Sequence, residues 1–335
     1  MNPTIKDVAR EAGVSTATVS RVVNKDPRIS PATRSRVEGV IDRLNYKVNT
    51  VARSLKNKKT LSVGLLAPEI ANVFFMRVAQ GVEDRLAEDG YAMIVLNSRE
   101  SRDGERHAVD LLLEKQVDGA IVIPSGGHGD HFSRLQSAGL PVVLVDRLVD
   151  GFRSDAVLVD NEDATYRAIT RLVESGRRDF GFVGGQHDIT TARERYQGFV
   201  RALEACSCPL QERNVRFGDF HTASGYRLFG ELMEQPDPPA TVMVANYFMQ
   251  IGALQYAASH RDRLPPDLFL ASFDNPEFAA VAGIPGLSIA QPIDEIGRRA
   301  AEILLERIRN EALGPYRIER LPTHIVFNGG PQWLT

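Results

Sequence analysis

Cysteine is scarce in this 335-residue chain, which contains only Cys206 and Cys208. A single residue separates the two, a spacing that is awkward for a disulfide, and the chain has no third cysteine as an alternative partner. We therefore expect two free thiols, as is typical of proteins kept in a reducing cytoplasm.

Long apolar runs are also absent. No stretch approaches the ~18 consecutive apolar residues that a membrane-spanning helix needs. The first ten residues, MNPTIKDVAR, lack the apolar segment of a signal peptide. We therefore expect a cytoplasmic protein that has no membrane partner.

Motifs for catalysis, metals and nucleotide cofactors are missing as well. The glycines of GFVGGQ lack the GxGxxG spacing, and no P-loop or catalytic triad motif is present. The segment GGHGDH places His128, Asp130 and His131 at a metal-like spacing, but no third histidine lies nearby. We predict a surface loop there, and neither an enzyme nor a bound metal or cofactor.

Charge is distributed unevenly along the chain. Residues 1–60 contain 13 Lys/Arg and 5 Asp/Glu, a net charge of +8, and because the whole chain carries −3, the remainder carries −11. A small basic module on a large acidic body is typical of a protein whose module binds a polyanion.

Three short helices are predicted in the basic module. Thr4 is a good N-cap with Asp7 as its capping-box partner, and Gly13 is a helix stop. Ser15 can cap a second helix, VSTATVSRVVN, and Ser30-Pro31 starts a third. Apolar residues at helical spacing give each helix one buried face.

The tight turn at Gly13 favours a helix-turn-helix, in which the second helix enters the major groove of DNA. Small residues at its N-terminal end allow close approach, and Arg21 can reach a guanine or a phosphate. The alternative is a plain capped core helix, which the charge asymmetry disfavours. For the following residues, 49–60, composition does not distinguish a short helix formed on a partner from a flexible basic linker.

The rest of the chain alternates short β-branched runs with amphipathic helical stretches. The runs LSVGLLA, AMIVLN, DGAIVIP, PVVLVD, DFGFVGG, TVMVA and LFLASF are apolar throughout, as in buried parallel strands. The alternation occurs twice, over about 61–160 and 161–290, which predicts two similar α/β lobes with a cleft between them. Ligands bind at the carboxyl ends of parallel strands. The polar residues that follow the strands are therefore our cleft candidates: Asp146, Arg147, Asp160, Asn161, Asn246, Asp274, Asn275 and Gln291, with Arg193 and Arg195 near a helix start.

The motifs TIKDVAREAGVSTATVSRVVN and NYKVNTVARSLKNKKT resemble those of the LacI/GalR family of bacterial transcription regulators. The resemblance implies an all-α helix-turn-helix headpiece (1–47), a hinge helix (48–60) and a periplasmic-binding-protein-like core. In that core, the chain would cross three times between a lobe of residues 61–160 and 292–320 and a lobe of residues 161–291 and 321–335.

The resemblance also implies residues that contact double-stranded DNA. Thr16, Ala17 and Arg21 would read bases in the major groove. Contacts to the DNA backbone would come from Ser15, Thr18, Ser20, Asn24, Thr33 and Tyr46. The hinge helix would bring Val51, Ala52, Arg53, Leu55 and Lys56 to the minor groove, with Leu55 as the apolar wedge.

For the effector, the resemblance implies a site lined by Phe75, Arg195, Phe220, Asn246, Asp274 and Gln291. We add Arg147, Asp160 and Arg193 from their positions in the sequence. Tyr247 stands where the family often has an aspartate, which removes one carboxylate that would bind hydroxyls. Clustered arginines favour anions, so we expect a sugar acid or sugar phosphate before a neutral sugar or a purine.

The predicted function is a repressor of carbohydrate metabolism genes that binds a palindromic operator and is controlled by a small molecule. Family members with a leucine heptad tail form tetramers, and because this sequence shows no such repeat, the resemblance implies a homodimer. The alternative is a sugar-binding protein or enzyme with an accessory basic module.

Overall fold

The computed structural model describes residues 3–23, 26–46, 59–274, 283–311 and 314–328. The chain divides into two compact units, Met1–Thr60 and Leu61–Thr335. The helices are α1 Ile5–Ala12, α2 Thr16–Val23, α3 Pro31–Arg43, α4 Val73–Glu88, α5 Arg102–Glu114, α6 Ser133–Ser137, α7 Asn161–Glu174, α8 Thr190–Ala205, α9 Thr222–Met233, α10 Tyr247–Ser259 and α11 Ile293–Ile308. The strands are β1 Ser62–Ala67, β2 Ala92–Asn97, β3 Gly119–Val122, β4 Val142–Val145, β5 Asp155–Val159, β6 Phe180–Gly184, β7 Val215–Phe217, β8 Thr241–Val244, β9 Phe269–Phe273, β10 Gly286–Ala290, β11 Ile318–Leu321 and β12 His324–Asn328.

The first unit is a three-helix bundle whose caps agree with the sequence prediction. The Thr4 hydroxyl accepts the Asp7 N–H, the Asp7 carboxylate accepts the Thr4 N–H at 3.0 Å, and Gly13 ends α1 at φ 64°. Ser30 caps α3 by accepting the Thr33 N–H. These local bonds satisfy the backbone donors that a short helix would otherwise leave exposed at its first turn.

One valine from each helix of the first unit is fully buried: Val8, Val19 and Val37. They pack in one apolar cluster together with Val22, Val40 and Tyr46. The burial of these side chains, rather than helix propensity, stabilises helices of only 8 to 13 residues.

The second unit contains two six-stranded sheets. The first has the order β11-β5-β4-β3-β1-β2 and the second has the order β12-β10-β9-β8-β6-β7. All pairs are parallel except β10 with β12. The fold class predicted from the sequence is therefore confirmed, and each of the seven apolar runs contains an observed strand. The chain passes between the sheets three times, after β5, after β10 and after β11.

Glycines allow helices to pack at very short distance in the second unit. A Cβ on Gly297 of α11 would collide with the carbonyl oxygen of Val78 in α4, and a Cβ on Gly81 would collide with that of Asp294. Gly225 and Gly252 give α9 and α10 a similar contact. Because backbone faces backbone at these points, no side-chain rotamer change can make room for a larger residue.

The sequence analysis predicts a surface loop at GGHGDH, and this prediction is wrong for His131. This side chain is 4% exposed, and its Nε2 lies 2.9 Å from the carboxylate of Glu105, which is 1% exposed. The loop folds back because residues 130–132 form a 3₁₀ turn that buries Phe132 in the core of the first lobe. Among the residues that the structure describes, no group of three or more His, Cys, Asp or Glu side chains is arranged to hold a metal ion.

The substitution Gly297→Ala is expected to destabilise the second unit by about 1–3 kcal/mol, because the added methyl group forces α4 and α11 apart. Urea unfolding of the full-length protein measures this change. Gly39→Ala in α3 is a control, because a Cβ there meets open space. It is expected to stabilise the first unit by up to about 1 kcal/mol. A Gly297→Ala variant as stable as the parent protein would contradict the close contact.

Candidate functional site

The N-terminal end of α2 carries small exposed side chains on a rigid support. Ser15 precedes the helix, and its hydroxyl accepts the Thr18 N–H at 3.1 Å. Thr16, Ala17 and Arg21 are exposed, whereas Val19 is fully buried beneath them. The helix therefore presents hydroxyl, methyl and guanidinium groups on one face while the opposite face holds it in the bundle.

The turn between α2 and α3 is held by an ion pair that the sequence analysis did not identify. The Asp26 carboxylate accepts the Arg28 backbone N–H at 3.0 Å and its guanidinium at 2.8 and 3.0 Å. These bonds lower the pKa of Asp26 to about 2. The Asp26 carbonyl also accepts Arg34 of α3 at 2.8 Å. The turn thus fixes α3 relative to the end of α2.

The other residues predicted to contact DNA divide into two groups. Ser15 and Thr33 take part in helix caps, Thr18 and Ser20 are half-buried, and Tyr46 is buried in the bundle at 9% exposure. The remaining members lie outside the described residues: Asn24, Val51, Ala52, Arg53, Leu55 and Lys56.

A cavity of about 30 Å³ lies where the carboxyl ends of both sheets face each other. Asp146 and Arg147 reach it from the end of β4, Asn246 from the end of β8, and Asp274 from the end of β9. The complete lining is Asn72, Phe74, Phe75, Asp146, Arg147, Thr191, Arg195, Phe220, Asn246, Tyr247, Asp274 and Gln291.

Seven of the nine residues predicted for the effector site are brought together in this lining: Phe75, Arg147, Arg195, Phe220, Asn246, Asp274 and Gln291. Asp160 and Arg193 lie outside it. Asp160 precedes α7, and Arg193 donates to the carbonyl of His187 at 3.0 Å. Asp146, a cleft candidate from its position after a strand, also lies in the lining. The sequence analysis did not identify Asn72, Phe74 and Thr191, although the positions of Asn72 and Thr191 at helix starts are a usable signal.

Arg147 is almost completely buried, with a side chain that is 5% exposed. Its Nη1 donates to Glu100 Oε2 at 3.0 Å and to the carbonyls of Pro124 and Ser125 at 3.1 and 3.2 Å. Its Nη2 donates to Glu100 Oε1 at 3.3 Å. Its Nε lies 3.5 Å from Asp146, and this buried atom has no hydrogen-bond partner among the described residues.

Arg195 enters the cavity from the first turns of α8 and is 3% exposed. Its Nε donates to Asn161 Oδ1 at 2.8 Å, and its Nη1 donates to the carbonyl of Ala245 at 2.7 Å. Its guanidinium lies 3.7 Å from the ring centroid of Phe273. Burial lowers the pKa of Arg195, and the nearby Asp274 partly offsets this effect.

Two carboxyls stand opposite these guanidiniums. Burial raises the pKa of Asp146, and Arg147 and Arg195 partly offset the rise. Burial likewise raises the pKa of Asp274, which accepts a hydrogen bond from Gln291 Nε2. The two carboxyls of Asp146 and Asp274 and the two guanidiniums of Arg147 and Arg195 therefore share the cavity, and their formal charges cancel.

Three lining residues have a backbone conformation that side chains disfavour. Asp146, Phe220 and Asp274 have φ angles of 65°, 66° and 69°. Each lies at or just beyond the end of a strand, and such strain persists only where the surrounding structure holds it. The left-handed turn redirects each side chain from the sheet into the cavity. Asn246 supports this arrangement by donating to the Phe220 carbonyl at 3.0 Å.

The comparisons with known proteins give one consistent result. The family model "Periplasmic binding proteins and sugar binding domain of LacI family" matches residues 60–320, and "Bacterial regulatory proteins, lacI family" matches residues 4–49. Catabolite control protein A of Priestia megaterium is 35% identical over 98% of each chain. The transcriptional repressor PurR of Aliivibrio salmonicida is 34% identical over 92% of this chain and 93% of its own.

Solved structures of bacterial transcription regulators are also similar to this chain. The lac repressor dimer bound to operator and an anti-inducer has a TM-score of 0.86 at 26% identity, covering 97% of this chain and 98% of that chain. A protein described as a putative ribose operon repressor from Burkholderia thailandensis has a TM-score of 0.72 at 29% identity, covering 79% of this chain and 98% of that chain. In the part of the chain that the structure describes, no helix is long and apolar enough to cross a membrane. The chain belongs to the LacI family of bacterial regulatory proteins and is a DNA-binding transcriptional repressor rather than an enzyme.

Proposed function

We propose that this repressor acts as a homodimer on a palindromic operator of carbohydrate metabolism genes. A small sugar-derived effector binds between the lobes of the core and changes operator affinity, which is a coupling free energy between two sites. The protein acts in the bacterial cytoplasm, where the chromosome lies. The observation that carries the effector proposal is the cavity in which Asp146, Arg147, Arg195 and Asp274 face one another.

On the DNA side, we propose that Thr16, Ala17 and Arg21 of α2 contact base edges in the major groove. Their exposure on a capped and anchored helix supports this role. The supporting contacts to the DNA backbone are assigned to Ser15, Thr18, Ser20, Asn24, Thr33 and Tyr46, and the minor-groove contacts to Val51, Ala52, Arg53, Leu55 and Lys56.

The hydrogen-bonding needs of the cavity favour a hydroxylated effector. Arg147 Nε is a buried donor and Gln291 Oε1 is a buried acceptor, and neither has a hydrogen-bond partner among the described residues. Leaving such groups unpaired is unfavourable. A hydroxyl group both donates and accepts, whereas a carboxylate or a phosphate dianion only accepts. Phe75 and Phe220 supply apolar ring faces for the C–H side of a sugar.

Within this class, the charge balance favours a neutral sugar. Each buried guanidinium already faces at least one carboxylate, so an anionic ligand would add an uncompensated charge to a buried site. The structural neighbour from Burkholderia thailandensis is described as a putative ribose operon repressor, which makes ribose the first compound to test. Asp160 and Arg193 remain predicted effector contacts that lie outside the present lining.

The sugar acid or sugar phosphate predicted from the sequence is the second candidate. The observation in its favour is that two guanidiniums are buried at one cavity, since arginine binds carboxylate and phosphate groups well. The 34% identity to a PurR repressor supports a purine as a third candidate.

The test uses the full-length protein and an operator selected from a pool of random duplexes. Fluorescence anisotropy at fixed salt follows the preformed complex, because phosphate contacts make affinity depend on salt. Ribose, ribose 5-phosphate, glucuronate and hypoxanthine are added in turn. We expect ribose to release the DNA. If only one of the other compounds releases the DNA, the effector belongs to the chemical class of that compound and is not a neutral sugar. If the selected pool shows no sequence preference, the DNA-binding proposal is contradicted.

The substitution Arg21→Ala is expected to weaken operator binding by about 1–3 kcal/mol and to relax base preference at one position of each half-site. Anisotropy with the selected operator and with single-base variants of it measures both effects. Arg10→Ala is the matched control, because it removes the same charge from an exposed side chain that pairs with Asp7 on α1. Equal losses for the two variants would show that Arg21 contributes only charge.

Effector affinity is expected to fall on acidification at a pH above the ordinary range of aspartate. Asp146 and Asp274 accept hydrogen bonds from hydroxyl groups best when ionised, and burial raises the pKa of both carboxyls. Each carboxylate is therefore present above its raised pKa and is lost as the pH falls through it. Calorimetric titration with the compound that releases DNA, from neutral to mildly acidic pH, measures the effect.

Asp274→Asn is the control for this pH dependence. It removes one of the two titrating carboxyls, so it is expected to bind the effector more weakly at neutral pH and with a shallower pH profile. A variant whose affinity falls with pH as steeply as that of the parent protein would exclude Asp274 as a source of the dependence.

A further inference from the structure

Glu100 is an acidic residue beside the cavity, although it is not part of the lining. It lies in the turn after β2, and both Arg99 and Glu100 have positive φ angles, 56° and 50°. The Glu100 N–H donates to the carbonyl of Pro68 at 2.9 Å, and the Arg99 N–H donates to Asn97 Oδ1 at 3.1 Å. Two successive side-chain-bearing residues in this conformation are strained, so the turn is held by its surroundings.

The strained turn directs the Glu100 carboxylate at the buried guanidinium of Arg147. Both carboxylate oxygens take part, Oε2 with Nη1 at 3.0 Å and Oε1 with Nη2 at 3.3 Å. Glu100 is 25% exposed, whereas Arg147 is 5% exposed. Glu100 therefore approaches from the solvent side and occupies the edge of the guanidinium that would otherwise bind an anion in a two-pronged manner.

Arg147 cannot turn away to offer that edge to another ligand. The carbonyls of Pro124 and Ser125 hold its Nη1, and the segment that carries them is itself anchored. Glu105 Oε1 accepts the Ser125 N–H at 2.6 Å, and the other oxygen of Glu105 lies 2.9 Å from His131 Nε2. Only the Nε edge of Arg147 remains available to a ligand, and Nε lies 3.5 Å from the carboxylate of Asp146.

The electrostatic balance at Arg147 depends on the same residue. Burial by itself lowers the pKa of Arg147, and the attraction of Glu100, followed by that of Asp146, more than offsets this and raises it. Removal of the Glu100 charge would leave a buried guanidinium with one ion-paired carboxylate, Asp146, whose charge is itself disfavoured by burial, and with the smaller attraction of Glu105.

We propose that Glu100 is a specificity-determining residue that excludes anionic sugars from the effector site by neutralising and occupying Arg147. This inference rests on the proposed function, namely that the cavity binds a sugar-derived effector. Glu100 sets the charge that the effector must have, while the lining residues set its hydroxyl pattern.

The test compares the full-length protein with its Glu100→Gln variant by calorimetric titration. Two pairs of probes are used, ribose with ribose 5-phosphate and glucose with glucuronate, so that each neutral sugar has an anionic partner. In the parent protein we expect ribose to bind and each anion to bind more weakly than its neutral partner, so that a ratio of affinities is measured for each pair. In Glu100→Gln we expect the ratio of affinities, anion over neutral sugar, to rise about tenfold or more for at least one pair, as for a charge-assisted bond that has become available.

Two control variants separate charge from other effects. Glu100→Asp keeps the charge and should keep the preference for the neutral sugar. Asp103→Asn removes an equal charge from an 89% exposed side chain in the same lobe and should leave the preference unchanged. Thermal unfolding checks that each variant folds. If Glu100→Gln does not fold, Glu100→Ser is used, since a small side chain leaves water to solvate Arg147.

The outcomes distinguish this inference from the proposed function. If the parent protein binds ribose and Glu100→Gln keeps the same ratio of affinities, the role of Glu100 is overturned and the neutral-sugar effector stands. If the parent protein itself prefers the anionic probes, both the neutral effector and the exclusion by Glu100 are wrong. If the ratio shifts equally in Asp103→Asn, the effect is one of net charge and the inference also fails.

Discussion

Two guanidiniums buried between the lobes impose the main constraint on the core of this protein. Arg147 belongs to the first lobe and Arg195 to the second, and both are almost completely buried. A buried charge is stable only when it is paired and hydrogen-bonded. The carboxylates of Glu100, Asp146 and Asp274 and the carbonyls at the ends of β3 and β8 supply those partners.

The same constraint explains why the strand ends are strained. A regular strand end would leave Asp146 and Asp274 directed along the sheet, away from the guanidiniums. The left-handed turns at φ 65° and 69° bring these carboxyls to the cavity. There Asp146 pairs with Arg147, and Asp274 accepts a hydrogen bond from Gln291 and is attracted by Arg195. The polar side chains of the cavity are therefore held in place by the protein itself.

The two units of the chain are stabilised in different ways. The headpiece depends on a small apolar cluster and on local caps, so the side chains that we propose to read DNA stand on short, anchored helices. The core depends on two large sheets and on glycine-mediated helix contacts such as that of Gly297 with Val78. In the proposed function, effector binding rearranges the lobes of the core and so changes the operator affinity of the headpiece, as in a two-state allosteric protein.

The sequence by itself determined the elements and much of the cavity, because these depend on local patterns. Caps such as Thr4 with Asp7, apolar strands such as VVLV, and polar residues directly after a strand such as Asp274 are readable from neighbours along the chain. Only the tertiary structure decided that Glu100 meets Arg147, 47 residues away, that His131 is buried against Glu105, and that Arg193 lies outside the cavity. The first two outcomes depend on how β2, β3 and β4 are ordered in the first sheet and on how the turns after them bend, and the third depends on how α8 is placed in the second lobe. No local pattern specifies either.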